Sequence, residues 1–122
     1  MKLARCSYHE TGSFWAVVDP LRDEVHPIEG EFSTWAPAVA GGAGISALRL
    51  SGMTLPLSKV HLLPPIEPVN RVVVAGANYA KHLAEDFGLA APAQPVAFLK
   101  AYGALIGAHD PIRYPPLTEE LD

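Results

Sequence analysis

The segment Pro64-Pro65-Ile66-Glu67-Pro68 constrains the fold of this chain more than any other feature, because it places three prolines within five residues. Each proline fixes its own φ, lacks a backbone N–H and pushes the residue before it into an extended conformation. Neither a helix nor a central strand can continue through such a segment. The sequence therefore predicts an extended connection, with a small β-rich domain over residues 1–66 and a second domain over residues 67–122.

The first of these domains has the alternation of apolar runs and turn residues that is typical of a β-meander. Strands are predicted over residues 3–8, 14–18 and 24–28, and residues 60–63 form a short apolar run before the proline segment. Two short helices are predicted over residues 34–39 and 45–50, because the glycines at positions 41, 42 and 44 disfavour a single long helix.

The second domain begins with the β-branched run of a buried strand at residues 71–76. A helix is predicted over residues 79–87, with Asn78 as its amino-terminal cap and Gly88 as its end. Another strand is predicted over residues 96–100. The pattern thus predicts a strand, a loop, a helix and a second strand.

Charge and composition exclude several classes of partner. The net charge of -4 comes from scattered residues, which disfavours nucleic acid and anionic membranes as partners. The start of the chain is too polar for a signal peptide, and the weakly polar window at residues 35–48 is too short to span a bilayer. The single cysteine, Cys6, is typical of a reducing compartment, so we expect a cytoplasmic protein.

His82 and Glu85 are the residues whose spacing suggests chemistry. They lie three positions apart on the predicted helix, so their side chains share one face and can meet directly or through one water. A carboxylate beside an imidazole fixes its tautomer and supports proton transfer near neutral pH. The alternative interpretation is that His82 is solvated and that Glu85 pairs with Lys81 at the i, i+4 spacing.

Three ordered blocks of sequence are similar to motifs of the fumarylacetoacetate hydrolase family. Residues 73–85, VVAGANYAKHLAE, resemble the family signature cVGlNYadHaaE, and residues 62–68, LLPPIEP, resemble the linker before it. Residues 95–100, PVAFLK, followed by residues 104–112, ALIGAHDPI, resemble the next block. The likeness is strong over residues 60–122 and loose before them, and it identifies the chain as the amino-terminal part of a family member.

The resemblance implies a fold and an activity. The expected fold is α+β and mainly β, with the small β-meander domain followed by the first part of a mixed β roll, whose two strands would keep unpaired edges and an exposed apolar face. Members are divalent-metal-dependent enzymes that cleave, decarboxylate or isomerise short 2-oxo and dioxo acids, some of them in aromatic catabolism. The expected partners are a small keto acid and either the complementary carboxyl-terminal region or a second copy in a homodimer.

The resemblance also assigns roles to individual residues. His82 would activate water or move a proton, and Glu85 would orient it, so that these two form the candidate catalytic pair. Tyr79 and Lys100 would line the substrate pocket, with Lys100 meeting a carboxylate; a purely structural lysine at a strand end is the alternative. Residues 101–103, Ala-Tyr-Gly, depart from the family pattern and leave the substrate open.

The metal ligands implied by the resemblance are not in this chain. The ion is magnesium or manganese, and its Glu-x-Glu pair comes directly after a Leu-Asp-Tyr sequence that here would begin at Leu121. Glu119 and Glu120 are adjacent, so on a strand they would point to opposite sides and make poor substitutes. A non-catalytic binding or assembly module that lacks the metal site is therefore the alternative function.

Overall fold

The predicted β-meander is present in the computed structural model, which describes residues 2–9 and 12–117. Its strands are β1 (Lys2–Ser7), β2 (Phe14–Asp19) and β3 (Glu24–Pro27). They pair antiparallel in chain order, with Ala4 opposite Ala16 and Val18 opposite Val25. The β-branched and aromatic residues of β2 and β3 suit a pleated surface, and the turn residues between the strands allow tight reversals.

Two very short strands extend the meander to a five-stranded antiparallel sheet. β4 (Leu55–Pro56) pairs with β3, and β5 (His61–Leu62) pairs with β1, which gives the order β4-β3-β2-β1-β5. β5 lies within the short apolar run at residues 60–63. β4 was not predicted, because two residues that include a proline carry no strand pattern, although an edge position tolerates the missing N–H.

Both faces of this sheet are covered. Cys6, Ala16 and Val25 are fully buried on one face, where Leu55 and Leu62 pack against them. Val17, Ile28 and Trp35 form the core on the other face. The strict alternation of side chains along each strand is what divides the apolar residues between the two layers.

The helical region confirms one predicted helix and corrects the other. α1 (Phe32–Ala38) occupies the first predicted position and places Trp35 over the sheet; it continues as a single wide turn over Val39–Ala43 in which Gly42 has a φ of 93°. The helix predicted over residues 45–50 is wrong. A short 3-10 turn, Gly44–Ala47, stands there instead.

Sheet pairing explains that correction. Leu50 bridges to Ile28, and the backbone N–H of Glu29 donates to the carbonyl of Arg49 at 2.8 Å. The N–H of Ser51 likewise donates to the carbonyl of Pro27 at 3.0 Å. Hydrogen bonds to the existing strand outweigh the weak local helix preference of this segment.

The chain forms two compact units, one made of Met1–Glu67 with Ile106–Asp122 and the other of Pro68–Leu105. Gly107 shows why the later segment belongs to the first unit. A Cβ at this position would lie 2.0 Å from the carbonyl oxygen of Leu62, so only glycine permits this approach. His61 and Asp110 add a polar contact, with Nε2 and Oδ1 3.3 Å apart. The domain boundary predicted at residues 66 and 67 stays a prediction.

The second unit contains β6 (Val72–Gly76), α2 (Ala80–Asp86), β7 (Val96–Lys100) and one 3-10 turn, Tyr102–Ala104. β6 and β7 confirm the two predicted strands and pair antiparallel with each other, with Val74 opposite Phe98. The Phe98 ring lies across Gly76, where a Cβ would come within 2.8 Å of it.

The expected apolar exposure is present in this unit. The side chains of Val73 and Leu99 are 65% and 66% exposed. Among residues 68–105, all of which the structure describes, Leu83 alone is buried. Within the described part of the chain, no helix has the length and apolar character needed to cross a membrane.

Candidate functional site

The loop that leads into α2 is fixed by Asn78, although not in the way the sequence predicted. Asn78 does not cap the helix; the residue at the cap position is Tyr79, whose side chain makes no capping bond. Instead, the Asn78 amide donates to the carbonyl of Val96 and accepts from its N–H, both at 2.9 Å. The side chain thereby ties the start of α2 to the start of β7.

The other end of α2 follows the prediction. Gly88 adopts a φ of 64°, and the N–H of Leu89 reaches back to the carbonyl of Leu83 at 2.9 Å. This bond spans seven residues and closes the chain reversal after the helix, which needs a residue at position 88 that tolerates positive φ. It also places Phe87 directly after the last helical residue, Asp86.

His82 lies on the exposed side of α2 and contacts two neighbours. Its Nδ1 lies 2.5 Å from Oδ2 of Asp86, one helical turn further on, and both side chains are more than half exposed. The ring of Phe87 meets the imidazole edge-on, with centroids 5.2 Å apart. A carboxylate and an aromatic ring are thus the two neighbours of the imidazole.

Glu85 does not contact His82 in this structure. Its Oε1 lies 3.9 Å from Nζ of Lys81, and the side chains are 63% and 84% exposed. The pairing of Glu85 with Lys81 is the alternative considered from the sequence. The carboxylate beside His82 belongs to Asp86, which sequence reasoning missed although its i, i+4 position was the available signal.

Tyr79 and Lys100 occupy different parts of the second unit. Tyr79 directly precedes α2 and its side chain is 79% exposed. Lys100 is exposed at the last position of β7, opposite Val72, whereas the α2 end of β6 is Gly76. Four residues of strand separate these positions, or about 13 Å. The hairpin therefore does not bring Lys100 to the beginning of α2, and the pocket role of both residues stays a prediction.

The described residues contain no cluster of three or more His, Cys, Asp or Glu side chains that could hold a metal ion. Glu119, Glu120 and Leu121 lie outside the described residues.

Among the described residues, Cys6 is the one whose titration is clearly perturbed, and it lies far from α2 in sequence. Burial raises the pKa of the Cys6 thiol to about 11, because the apolar surroundings disfavour the thiolate. An uncharged, enclosed thiol is a poor nucleophile. Cys6 is accordingly a core residue of the sheet.

The first unit also contains a cavity of about 380 Å³ that no predicted site residue lines. Asp23, Ser58, His61 and His109 supply its polar lining. Both oxygens of the Asp23 carboxylate are already bound by Ser58, one by its N–H and one by its hydroxyl, each at 2.9 Å. These contacts hold the turn before β5 in place.

Comparison with known proteins finds relatives both by sequence and by structure. Residues 1–65 match the family described as "Rv2993c-like, N-terminal". The chain is 49% identical over 65 residues to Protein Rv2993c of Mycobacterium tuberculosis, covering 53% of this chain and 24% of that protein. It is 36% identical over 86 residues to the mitochondrial oxaloacetate tautomerase FAHD2A of Bos taurus, covering 67% and 27%.

A solved structure extends the likeness to nearly the whole chain. The crystal structure of Cg1458 with inhibitor superposes with a TM-score of 0.68 at 30% identity, covering 95% of this chain and 40% of that one. The chain thus spans about a quarter of the length of its curated relatives, at 24% and 27%, and aligns with 40% of the solved relative.

Proposed function

This chain belongs to the fumarylacetoacetate hydrolase family, with an Rv2993c-like amino-terminal domain, and on that premise we propose that it is part of an enzyme acting on short 2-oxo or dioxo acids. Family members cleave, decarboxylate or isomerise such acids. We propose isomerisation, the interconversion of keto and enol forms, as the reaction to which this chain contributes. Relatives named oxaloacetate tautomerases support this choice.

The observation that carries the proposal is the placement of His82. Its imidazole is half exposed on α2, faces a carboxylate and follows the strand and loop that carry the family signature. Histidine is the side chain whose ordinary titration lies closest to neutral pH, which suits it to taking up and returning a proton. The chemistry of the imidazole and its access to solvent support the proposed proton-transfer role of His82.

The reaction requires one proton to move and no redox partner. A base removes a proton from the carbon next to the ketone, and the electrons of that C–H bond form the carbon–carbon double bond. The ketone oxygen gains a proton and becomes the enol hydroxyl. That proton comes from the His82 imidazolium, which thereby returns to the neutral imidazole in the same turnover; ketonisation is the same transfer in reverse.

A divalent cation is part of the proposal only through residues outside this chain. The described residues do not form a metal site, so they do not by themselves fit magnesium or manganese. The resemblance assigns the ligands to acidic residues downstream of Asp122. When bound there, such an ion would stabilise negative charge on the enolate oxygen. Tyr79 and Lys100 remain proposed pocket residues, and a keto acid the proposed ligand.

The test uses the chain combined with the carboxyl-terminal region of a family member, in the presence of magnesium. Ketonisation of enol-oxaloacetate is followed by the decay of the enol absorbance. His82→Ala should lower turnover by about 10²- to 10⁴-fold, the usual loss when a general acid–base residue is removed. Lys81→Ala is the matched control, since Lys81 is an exposed neighbour on the same helix.

Turnover that is equal in His82→Ala and wild type would remove His82 from the reaction. Binding of oxalate without any turnover of oxaloacetate, acylpyruvates or other 2-oxo acids would instead favour the non-catalytic binding module.

A further inference from the structure

The contact between His82 and Asp86 adds a carboxylate that lies outside the signature block of residues 73–85. We propose that Asp86 is the positioning residue for His82, and that it fixes the imidazole in the tautomer whose Nε2 is free to accept a proton. The inference rests on the proposed function, because it names the atom through which His82 would act. It assigns the orienting role to Asp86 in place of Glu85.

The chemistry of the two partners determines where the hydrogen lies. An ionised carboxylate accepts hydrogen bonds and donates none. The contact between Nδ1 of His82 and Oδ2 of Asp86, at 2.5 Å, therefore requires a hydrogen on Nδ1. In the neutral ring the second nitrogen, Nε2, then carries the lone pair. This is the form in which an orienting carboxylate leaves the opposite nitrogen available as a base.

The local fold holds the pair together. His82 and Asp86 are four residues apart on α2, so their side chains lie one turn apart on the same face. The helix ends immediately after Asp86, and the turn at Gly88 leaves Phe87 against the imidazole at a centroid separation of 5.2 Å. The ring is thus constrained at Nδ1 by the carboxylate and on another side by an aromatic edge.

Glu85 is placed differently. It lies three residues from His82, but its carboxylate faces Lys81 at 3.9 Å. The polar side chains of α2 therefore form two separate pairs, Lys81 with Glu85 and His82 with Asp86. Removing Glu85 should leave the hydrogen bond at Nδ1 of His82 intact, whereas removing Asp86 should abolish it.

The deciding experiment reads the tautomer directly in the 122-residue chain. Long-range ¹H–¹⁵N correlation of the histidine rings, recorded at a pH where the rings are neutral, distinguishes a protonated Nδ1 from a protonated Nε2. His82→Gln assigns the His82 signals. We expect the Nδ1-protonated form to predominate at His82 in wild type and in Glu85→Ala.

Asp86→Ala should shift His82 to the Nε2-protonated form, which a histidine side chain prefers in water. Alanine is the best helix former, so this variant removes the carboxylate while preserving α2, and the backbone amide shifts of residues 80–83 check that it does. Asp86→Glu keeps a carboxylate one methylene further out and should restore part of the Nδ1-protonated population.

The proposal is overturned if Asp86→Ala leaves the tautomer unchanged, or if Glu85→Ala is the variant that shifts it. Neither result depends on turnover. If the tautomer responds to Asp86 but His82→Ala keeps full activity in the enol-oxaloacetate assay, the positioning contact stands and the proposed function fails. If His82→Ala is inactive and the tautomer follows Glu85, the proposed function stands and the assignment of Asp86 fails.

Discussion

The two units of this chain bury their apolar residues to very different extents. The first unit covers both faces of a five-stranded sheet, so that Cys6, Ala16 and Val25 are inaccessible to solvent. The second has one pair of strands and a helix of two turns, and in it Leu83 is the buried residue among 68–105. A sheet needs a layer on each apolar face before short strands produce a core, and two strands alone are marginal.

Because of that difference, the residues that stabilise the fold and the residues of the proposed chemistry lie in different units. The fully buried side chains lie in the first unit, whereas His82, Asp86, Tyr79 and Lys100 all lie in the second. Regions with few buried apolar contacts open at low free energy cost, and binding residues are commonly found there. Changes to the core of the first unit should therefore cost much more stability than equivalent changes in the second.

The largest contrast is expected between two aromatic truncations. Trp35, 5% exposed, packs against Trp15 and Phe32 at ring-centroid distances of 5.9 and 5.0 Å. Trp35→Ala should lower the free energy of unfolding by about 3–5 kcal/mol, because it leaves a cavity. The matched change in the second unit, Phe98→Ala, starts from a side chain that is 49% exposed and should cost about 1 kcal/mol or less. Urea unfolding followed by far-UV circular dichroism measures both, and equal costs would contradict the comparison.

Cys6 tests whether the core of the first unit is closed. At pH 8 its pKa of about 11, raised from an ordinary 9.0 by burial, should lower the thiolate fraction and hence the alkylation rate by about 100-fold. The urea-unfolded chain is the control for the folded one. Equal rates in the two states would show that the sheet opens readily.

The same shift gives a pH dependence of stability with a definite sign. The folded state disfavours the thiolate. The contribution of Cys6 to the free energy of unfolding is therefore fully present below about pH 9 and is lost as pH rises toward 11. Cys6→Ala should lose that part of the pH dependence.

A smaller effect is expected at the ion pair that anchors the proline segment to the sheet. Glu67 accepts a hydrogen bond from Nε1 of Trp15, and its Oε1 lies 3.9 Å from Nε of the buried Arg5. Glu67→Ala removes these contacts and should cost about 1–3 kcal/mol. Glu29→Ala is the control, since its partner Arg49 is 89% exposed, and it should cost about 1 kcal/mol or less. A Glu67→Ala variant no less stable than Glu29→Ala would show that the anchor contributes little.

The strands were predictable because their signals are local. β2, β3, β6 and β7 contain β-branched or aromatic residues, turn residues follow β1 and β2, and Gly88 ended α2 as expected. The errors arose where a distant segment competes with the local pattern. Leu50 pairs with Ile28 instead of joining a helix, and Asn78 binds Val96, eighteen residues away, instead of capping one.

The candidate site shows the same limit of sequence-based prediction, here between residues that are close together in the chain. The sequence located α2 and its exposed histidine, but Glu85 and Asp86 both lie within reach of His82 along a helix face. Which carboxylate pairs with the imidazole depends on Lys81, which engages Glu85, and on the chain reversal after Asp86, which brings up Phe87. Side-chain competition of this kind is not encoded in spacing alone.

The return of residues 106–110 to β5 has a consequence for covalent connectivity. Residues 68–105 are joined to the first unit at both ends, and the stretch 89–95 is exposed. A single proteolytic nick there would leave two fragments still associated through β6–β7 pairing and through the close fit of Gly107 against Leu62. The nicked chain should therefore elute as one species in native gel filtration and separate into fragments only in denaturant.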